Sequence, residues 1–358
     1  MDIAFSVPLP FRKVKSLVAS NNRVLVSDSN QMVAITAEGQ MVWHLKFERP
    51  IGKIVVAPSG DIVGICDGGK QLTVRSPDTG ELKLSIPVNS CVYAIPGVTK
   101  SHLICHGWEN QLNVFSQTGE LCWSAPTDKN AIWMQPVVVE DWVFTSTQGV
   151  IAYALNDGSK VGLWSELSPS EGILTMRRAD PKRIVVGYGI DQLFILNKEH
   201  RTVCPWILPS GYRIFMESLM VSESPDSELT LIATAGVDGK KAVVSVTESG
   251  EVLWQYPISK IPVAISVGTA GQVYIAQSPT LDEWDKYKDF CEFSCFVLGL
   301  SATGEELWKW EAPAPITSGL AVADDGVYGV CDGNLVPISS VEEYPGSGFV
   351  VGDTSVYM

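Results

Sequence analysis

The segment His106-Gly107-Trp108-Glu109-Asn110 sets an imidazole and a carboxylate on either side of an aromatic ring. Those residue types suit general acid–base catalysis or the capture of a polar ligand. Two more segments carry complementary groups: Asp128 to Gln135 supplies Trp133 and Gln135, and Pro209-Ser210-Gly211-Tyr212-Arg213 supplies Tyr212 and Arg213. A further set of equivalent positions, Lys15, Lys53, Tyr93, Gln135, Thr175, Glu217, Ala264 and Ser318, is polar more often than a purely apolar core would need. Glu217 with Lys15 or Lys53 is the opposite-charge pair to mutate first. An irregular loop holding a solvated histidine and a packed tryptophan would use the same residues, and a hydrated channel would account for the polar set. Catalysis, binding and structure therefore all stay open on residue types alone.

Several familiar reaction centres are missing. Gly64-Ile65-Cys66-Asp67-Gly68-Gly69-Lys70-Gln71 nearly spells a phosphate loop, but Gln71 stands where a magnesium-binding hydroxyl is needed. The segment also joins two strand-like runs and opens no helix, so it offers no helix-terminal amides to a phosphate. There is no Gly-x-Ser-x-Gly elbow, His-Glu-x-x-His or Cys-x-x-Cys. Cys291-x-x-x-Cys295 could hold a metal or form a redox bridge, yet none of the four histidines is near it in sequence. Buried small side chains are the plainer reading. No metal and no cofactor are expected.

The chain has 358 residues, and 46% of them are hydrophobic, enough for a large core. Its net charge of -14 repels phosphate backbones and anionic lipid, and no Lys/Arg run offsets it locally. Neither nucleic acid nor membrane is an expected partner. The N-terminus shows no basic, apolar, small-residue leader, and no apolar run is long enough to span a bilayer. The eight cysteines lie mostly inside apolar strand-like runs, and no asparagine starts an Asn-x-Ser/Thr acceptor. These features lead to the expectation of a cytoplasmic, monomeric protein with reduced thiols.

The elements that must position the candidate residues are repeats. An alternating strand, a polar turn with Gly, and a second alternating strand with Trp four residues after the Gly recur at Gly39/Trp43, Gly119/Trp123, Gly250/Trp254 and Gly304/Trp308. Weaker copies are Gly80 with Leu84, Gly158 with Trp164, and a Gly-less copy ending at Trp206. The turn glycines at 39, 80, 119 and 158 recur at roughly 40 residues, the length of one propeller blade. The fold class is thus all-β: a single domain over residues 1–358 forming an eight-bladed propeller of four-stranded antiparallel blades, with seven blades as the alternative. Inner strands are expected near Lys15, Lys53, Ser90, Gln135, Ile173, Phe215, Val263 and Ile316. The last unit lacks an outer strand, and Ile3 to Pro8 resembles one, so the N-terminus is expected to close the ring. Residues 278–290 interrupt blade 7. Thr280 and Glu283 have capping-box spacing, which predicts a short helix, with Trp284 and Tyr287 as lid candidates.

The Asp67-Gly68, Asp238-Gly239 and Asp332-Gly333 turns, with the Gly-x-x-x-Trp strands, resemble the repeats of the PQQ-like, quinoprotein alcohol dehydrogenase-like propeller family. The resemblance covers nearly the whole chain. It implies the propeller fold, in a family that includes dehydrogenases, an outer-membrane assembly lipoprotein and sensor domains. The family's quinone enzymes carry a vicinal disulfide, and no two cysteines here are adjacent, so the quinone site is not expected. The Asp of these turns recurs as turn geometry requires, whereas a ligand would need each residue once. The function expected is a non-catalytic binding or interaction scaffold, with a protein or small-molecule ligand at the loop face and channel mouth. The alternative is a cofactor-free lyase, isomerase or hydrolase acting there.

Overall fold

The computed structural model describes residues 5–20, 22–90, 95–127, 135–146, 149–165, 167, 173–188, 192–223, 229–237, 240–268, 271–288, 293–323 and 326–340. Eight four-stranded antiparallel sheets form the blades of a propeller. Blades 1 to 7 span 16–46, 54–87, 97–126, 137–164, 173–205, 212–258 and 264–311, each meandering outward through strands A, B, C and D. Blade 8 takes A, B and C from Ala321–Ala323, Gly326–Cys331 and Asn334–Ser340. Its outer strand is Val7–Pro8, with Val7 opposite Leu335 and Pro8 opposite Asn334. Strand A of blade 8 lies against strand A of blade 1, which completes the ring. The count is eight, and the N-terminal segment closes it. Ile3 and Ala4 lie outside the described residues.

Burial follows position in the blade. Strands B and C are covered on both faces by neighbouring blades, so Arg23–Ser27 and Gln31–Thr36 are buried almost throughout. The outer strand Met41–Lys46 alternates between exposed and half-buried positions. Hydrophobic clusters accordingly sit between blades, as where Ile104, Leu112 and Val114 of blade 3 meet Val143, Ile151 and Tyr153 of blade 4. Each such interface is a sheet-on-sheet contact that a single blade cannot make alone.

The Gly and Trp of the repeat meet across these interfaces. Trp43 lies on Gly80 of the next blade and its indole N–H donates to the Pro77 carbonyl at 2.9 Å. Trp123 lies on Gly158 and donates to Leu155 at 2.8 Å, and Trp254 lies on Gly304 and donates to Ala302 at 2.9 Å. At Gly158 the backbone has φ +71, and a Cβ would stand 2.7 Å from the indole. Glycine is needed there both for the left-handed turn and for the close approach. The blade 5–6 junction departs from the pattern: Ile207 lies on Gly250, and Arg183 bridges Asp180 and Glu248, the latter at 3.1 Å. Burial alone would lower the Arg183 pKa, but its bonds and charges with Asp180 and Glu248 outweigh that and hold it above its ordinary value.

Two inner strands lie further along the chain than the sequence indicates. Strand A of blade 3 is Gly97–Val98, where a start near Ser90 was expected, and strand A of blade 8 begins at Ala321. Ile316 contributes only an isolated bridge to Cys331. Both strands follow long inter-blade connections, in which Ile95 and Ile316 are buried outside any ladder. Among the described residues no helix is long and apolar enough to cross a membrane.

Candidate functional site

The B–C turns and the D–A connections share one face of the ring, tied by backbone hydrogen bonds. Gly68 donates to Pro50, Ser90 to Gly69, Trp108 to Asn89, Thr127 to Asn110, and Leu9 to Gly333. The Asp-Gly turns here have positive φ at both positions, Asp332 at 44° and Gly333 at 77° in a two-residue hairpin, and Asp67 at 51° and Gly68 at 65° in the longer turn between Cys66 and Gln71. Asp and Gly suit that geometry. Two of these aspartates also hold cations from the adjoining connections, Asp67 with Arg49 at 3.5 Å and Asp332 with Arg12 through its Nε at 2.9 Å.

The candidate residues separate into buried and exposed sets. His106 is the penultimate residue of strand B of blade 3, His102–Gly107, and is 1% exposed. Its Nε2 shares a hydrogen bond with the Thr145 hydroxyl of blade 4 at 2.8 Å, and its carbonyl accepts from Ser90. Trp108 and Glu109, two and three residues on, are exposed, with Trp108 at 54%. The backbone beneath them is fixed: Trp108 N–H donates to Asn89 at 2.8 Å, Asn110 adopts φ 56°, and its carbonyl accepts from Thr127 at 2.7 Å. Tyr212 and Arg213 begin strand A of blade 6, three blades round the ring; the Tyr212 hydroxyl donates to Gln255 at 2.8 Å, and Arg213 is exposed. The structure brings Trp108 and Glu109 together with the buried His106 on blade 3 and leaves Tyr212 and Arg213 on a separate blade. Tyr93 and Trp133 lie outside the described residues, as does the side chain of Glu217, which is in strand Tyr212–Glu223.

The polar residues of the channel tie blades together. Lys15 Nζ donates to the Ile51 carbonyl at 2.6 Å, and Gln135 Nε2 donates to Pro96 at 3.4 Å. Ser16 Oγ accepts from Ile54 N–H at 3.2 Å, and Ser266 Oγ donates to Leu320 at 3.0 Å. Lys53 is half-buried on the connection between blades 1 and 2, and Ser318 accepts from Val330 within its own blade. Thr175 is buried, and its hydroxyl has no hydrogen-bond partner among the described residues. Most of this polarity answers backbone groups of neighbouring blades, which a sequence periodicity cannot reveal.

In blade 7, Leu281–Tyr287 form a helix whose N-cap Thr280 accepts from Glu283 N–H at 3.2 Å while the Glu283 carboxylate accepts from Thr280 N–H at 2.9 Å. Those bonds hold the Glu283 carboxyl below its ordinary range. Trp284 packs against Phe293 with ring centroids 5.7 Å apart, and Tyr287 is 41% exposed. Asp285 reaches Arg12 at 3.3 Å and Asp282 reaches Lys13 at 3.8 Å, so the helix leans on the connection into blade 1. The sequence alone did not mark Arg12. Its partner Asp332 lies 320 residues away across the ring closure, so no spacing along the chain reveals the pair.

No group of three His, Cys, Asp or Glu side chains suited to a metal occurs among the described residues. The thiols are inert by burial, which pushes Cys105 up to about 12 and Cys331 up to about 11. Cys66 and Cys295 are raised by burial as well, whereas Cys122 and Cys204 are exposed. Since the thiolate is the reacting species, iodoacetamide at pH 8 should modify Cys122 and Cys204 in the folded protein on the order of 100-fold faster than these four. Peptide mass mapping checks this, and rapid native modification of Cys105 would contradict it.

A family model described as outer membrane protein assembly factor BamB, built on PQQ-like repeats, matches residues 28–204. Among solved structures the chain is similar to BamB from Moraxella catarrhalis, at 15% identity and a TM-score of 0.61, over 94% of this chain and 96% of that one. At that identity the likeness speaks for the fold. A comparison with curated protein sequences gave no match. Repeat, blade count and family model agree on an eight-bladed β-propeller of PQQ-like repeats, whose residues 28–204 match that family.

Proposed function

We propose that the protein is a non-catalytic scaffold that binds a polypeptide partner on the face formed by its B–C turns and D–A connections. The observation that carries this reading is Trp108, a large aromatic left 54% exposed on a turn whose backbone is held from both sides. An exposed, pre-ordered tryptophan loses little entropy on docking and is the residue type that most often dominates an interface. The matching family model is that of an assembly factor, which supports a partner that is a protein. The acid–base alternative draws no comparable support, because His106 is buried against Thr145 while Glu109 faces solvent. A reducing compartment belongs to the same reading and is supported by the free thiols of Cys122 and Cys204 at the surface.

Trp108→Ala should leave the melting temperature unchanged and weaken the partner complex by about 30-fold, the loss expected for an interface hot spot. The partner is the polypeptide captured by photo-cross-linking from position 108, and titration calorimetry with the purified pair gives the affinity. Equal affinity for the wild type and the variant would contradict the assignment of this face.

A further inference from the structure

We propose that the outer edge of blade 3, strand Leu121–Pro126, accepts an extended, lysine- or arginine-bearing segment of a partner protein as a fifth strand. The proposal rests on the scaffold reading and names where and what the scaffold binds. Every outer strand of a propeller leaves one row of backbone N–H and C=O groups unpaired, and natural sheets usually guard such edges with charge or proline.

The outer strands of blades 1, 2 and 4 to 7 are guarded, and that of blade 8 is only the two residues Val7–Pro8. Met41–Lys46 contains His44 and Lys46, Leu82–Pro87 contains Lys83, Lys160–Trp164 begins on a lysine, and Glu306–Glu311 carries Glu306, Lys309 and Glu311. Val252–Ile258 has Pro257 inside it, and Tyr256 reaches across to Glu306 at 2.9 Å. Thr202–Pro205 is only four residues long and ends in proline. Leu121–Pro126 differs from all of them: six residues, no charge, and proline only at its last position.

Its surface is also the more adhesive. Leu121 is 57% exposed at one end, and Cys122 and Ser124 are exposed along the strand. At the other end Pro126 pairs with Gln111, and Thr127 donates to Asn110, which brings the Trp108 turn against the end of the edge. A carboxylate flanks each exposed apolar residue, Glu120 before Leu121 and Glu109 after Trp108, and both are exposed. Neither has an ion-pair partner among the described residues. The edge is about 17–20 Å long, the length of a typical strand. The complementary ligand is therefore extended, apolar on alternate residues, and cationic at both ends, and the net charge of -14 favours its approach.

The probe is the acetylated, amidated heptapeptide Lys-Val-Thr-Val-Thr-Val-Lys, with the same peptide bearing Glu in place of Lys as its control. At millimolar peptide, hydrogen exchange of the full chain should slow about fivefold in 121–126 with the basic peptide and stay unchanged with the acidic one. Leu121→Lys should weaken binding by about tenfold without altering the melting temperature, because it sets like charges together at an exposed site, while Leu82→Lys on blade 2 should not. The proposal is overturned if the basic peptide does not bind, if protection falls on another blade, or if the acidic peptide binds equally. It is also overturned if protein concentration alone protects 121–126, since a second copy would then be the occupant. A partner that needs Trp108 yet leaves 121–126 exchanging as in the free protein would overturn this inference and leave the scaffold reading standing.

Discussion

Trp123→Ala should cost about 3–5 kcal/mol of unfolding free energy, the range for deleting a buried tryptophan. The indole is 9% exposed, its N–H is bonded to Leu155, its ring lies 5.9 Å from that of Tyr153, and it fills the space over Gly158. Losing it empties one inter-blade contact and leaves the Leu155 carbonyl without its donor. Gly158→Ala should be comparably harmful in the wild type, because the new Cβ meets the indole and the backbone is left-handed. In the Trp123→Ala background only the backbone strain remains, so the two changes should be less than additive. Urea unfolding of the four proteins measures the coupling. A cost below about 1 kcal/mol for Trp123→Ala would mean that the indole is not a latch between blades.

Deleting residues 1–10 should be the second large effect. The segment supplies the outer strand of blade 8, buries Val7 against the clusters of blades 8 and 1, and lays Phe5 over Gly39 where other junctions use tryptophan. Leu9 further donates to Gly333 at 2.8 Å. Removing about three apolar side chains from these contacts costs about 3–6 kcal/mol, and it uncovers the edge of Asn334–Ser340. The truncated chain should melt at least ~5 °C lower and associate on warming. Superimposable melting curves, with no light scattering, would show that the ring does not depend on this closure.

The fold was legible because most junctions repeat one contact. Gly39, Gly119, Gly250 and Gly304 each carry Trp or its substitute at a set distance, and the structure shows why: the turn glycine of one blade is the floor for the outer-strand side chain of the blade before it. The inner strands were less legible, since Ile95 and Ile316 read like strand but are buried with no more pairing than the single bridge of Ile316 to Cys331. Of the candidate site, Trp108 and Glu109 were visible as a break in the repeat. The burial of His106 was not, because its partner Thr145 belongs to another blade and no spacing along the chain announces it. Lys15 is similar, its ammonium being directed to a carbonyl one blade away. The bare edge at Leu121 was hidden for the opposite reason. An alternating apolar strand looks the same whether its outer side is covered or open.

The most direct test of the scaffold claim is photo-cross-linking in living cells, with a photoreactive amino acid placed at position 108 in one strain and at position 175, in the channel wall, in another. Position 108 should join a specific polypeptide and position 175 none, and the complex should be lost when Glu109 and Glu120 are both changed to Lys. A specific polypeptide at 175 and none at 108, or a small molecule retained by the purified protein and lost on changing Thr175, would contradict that claim.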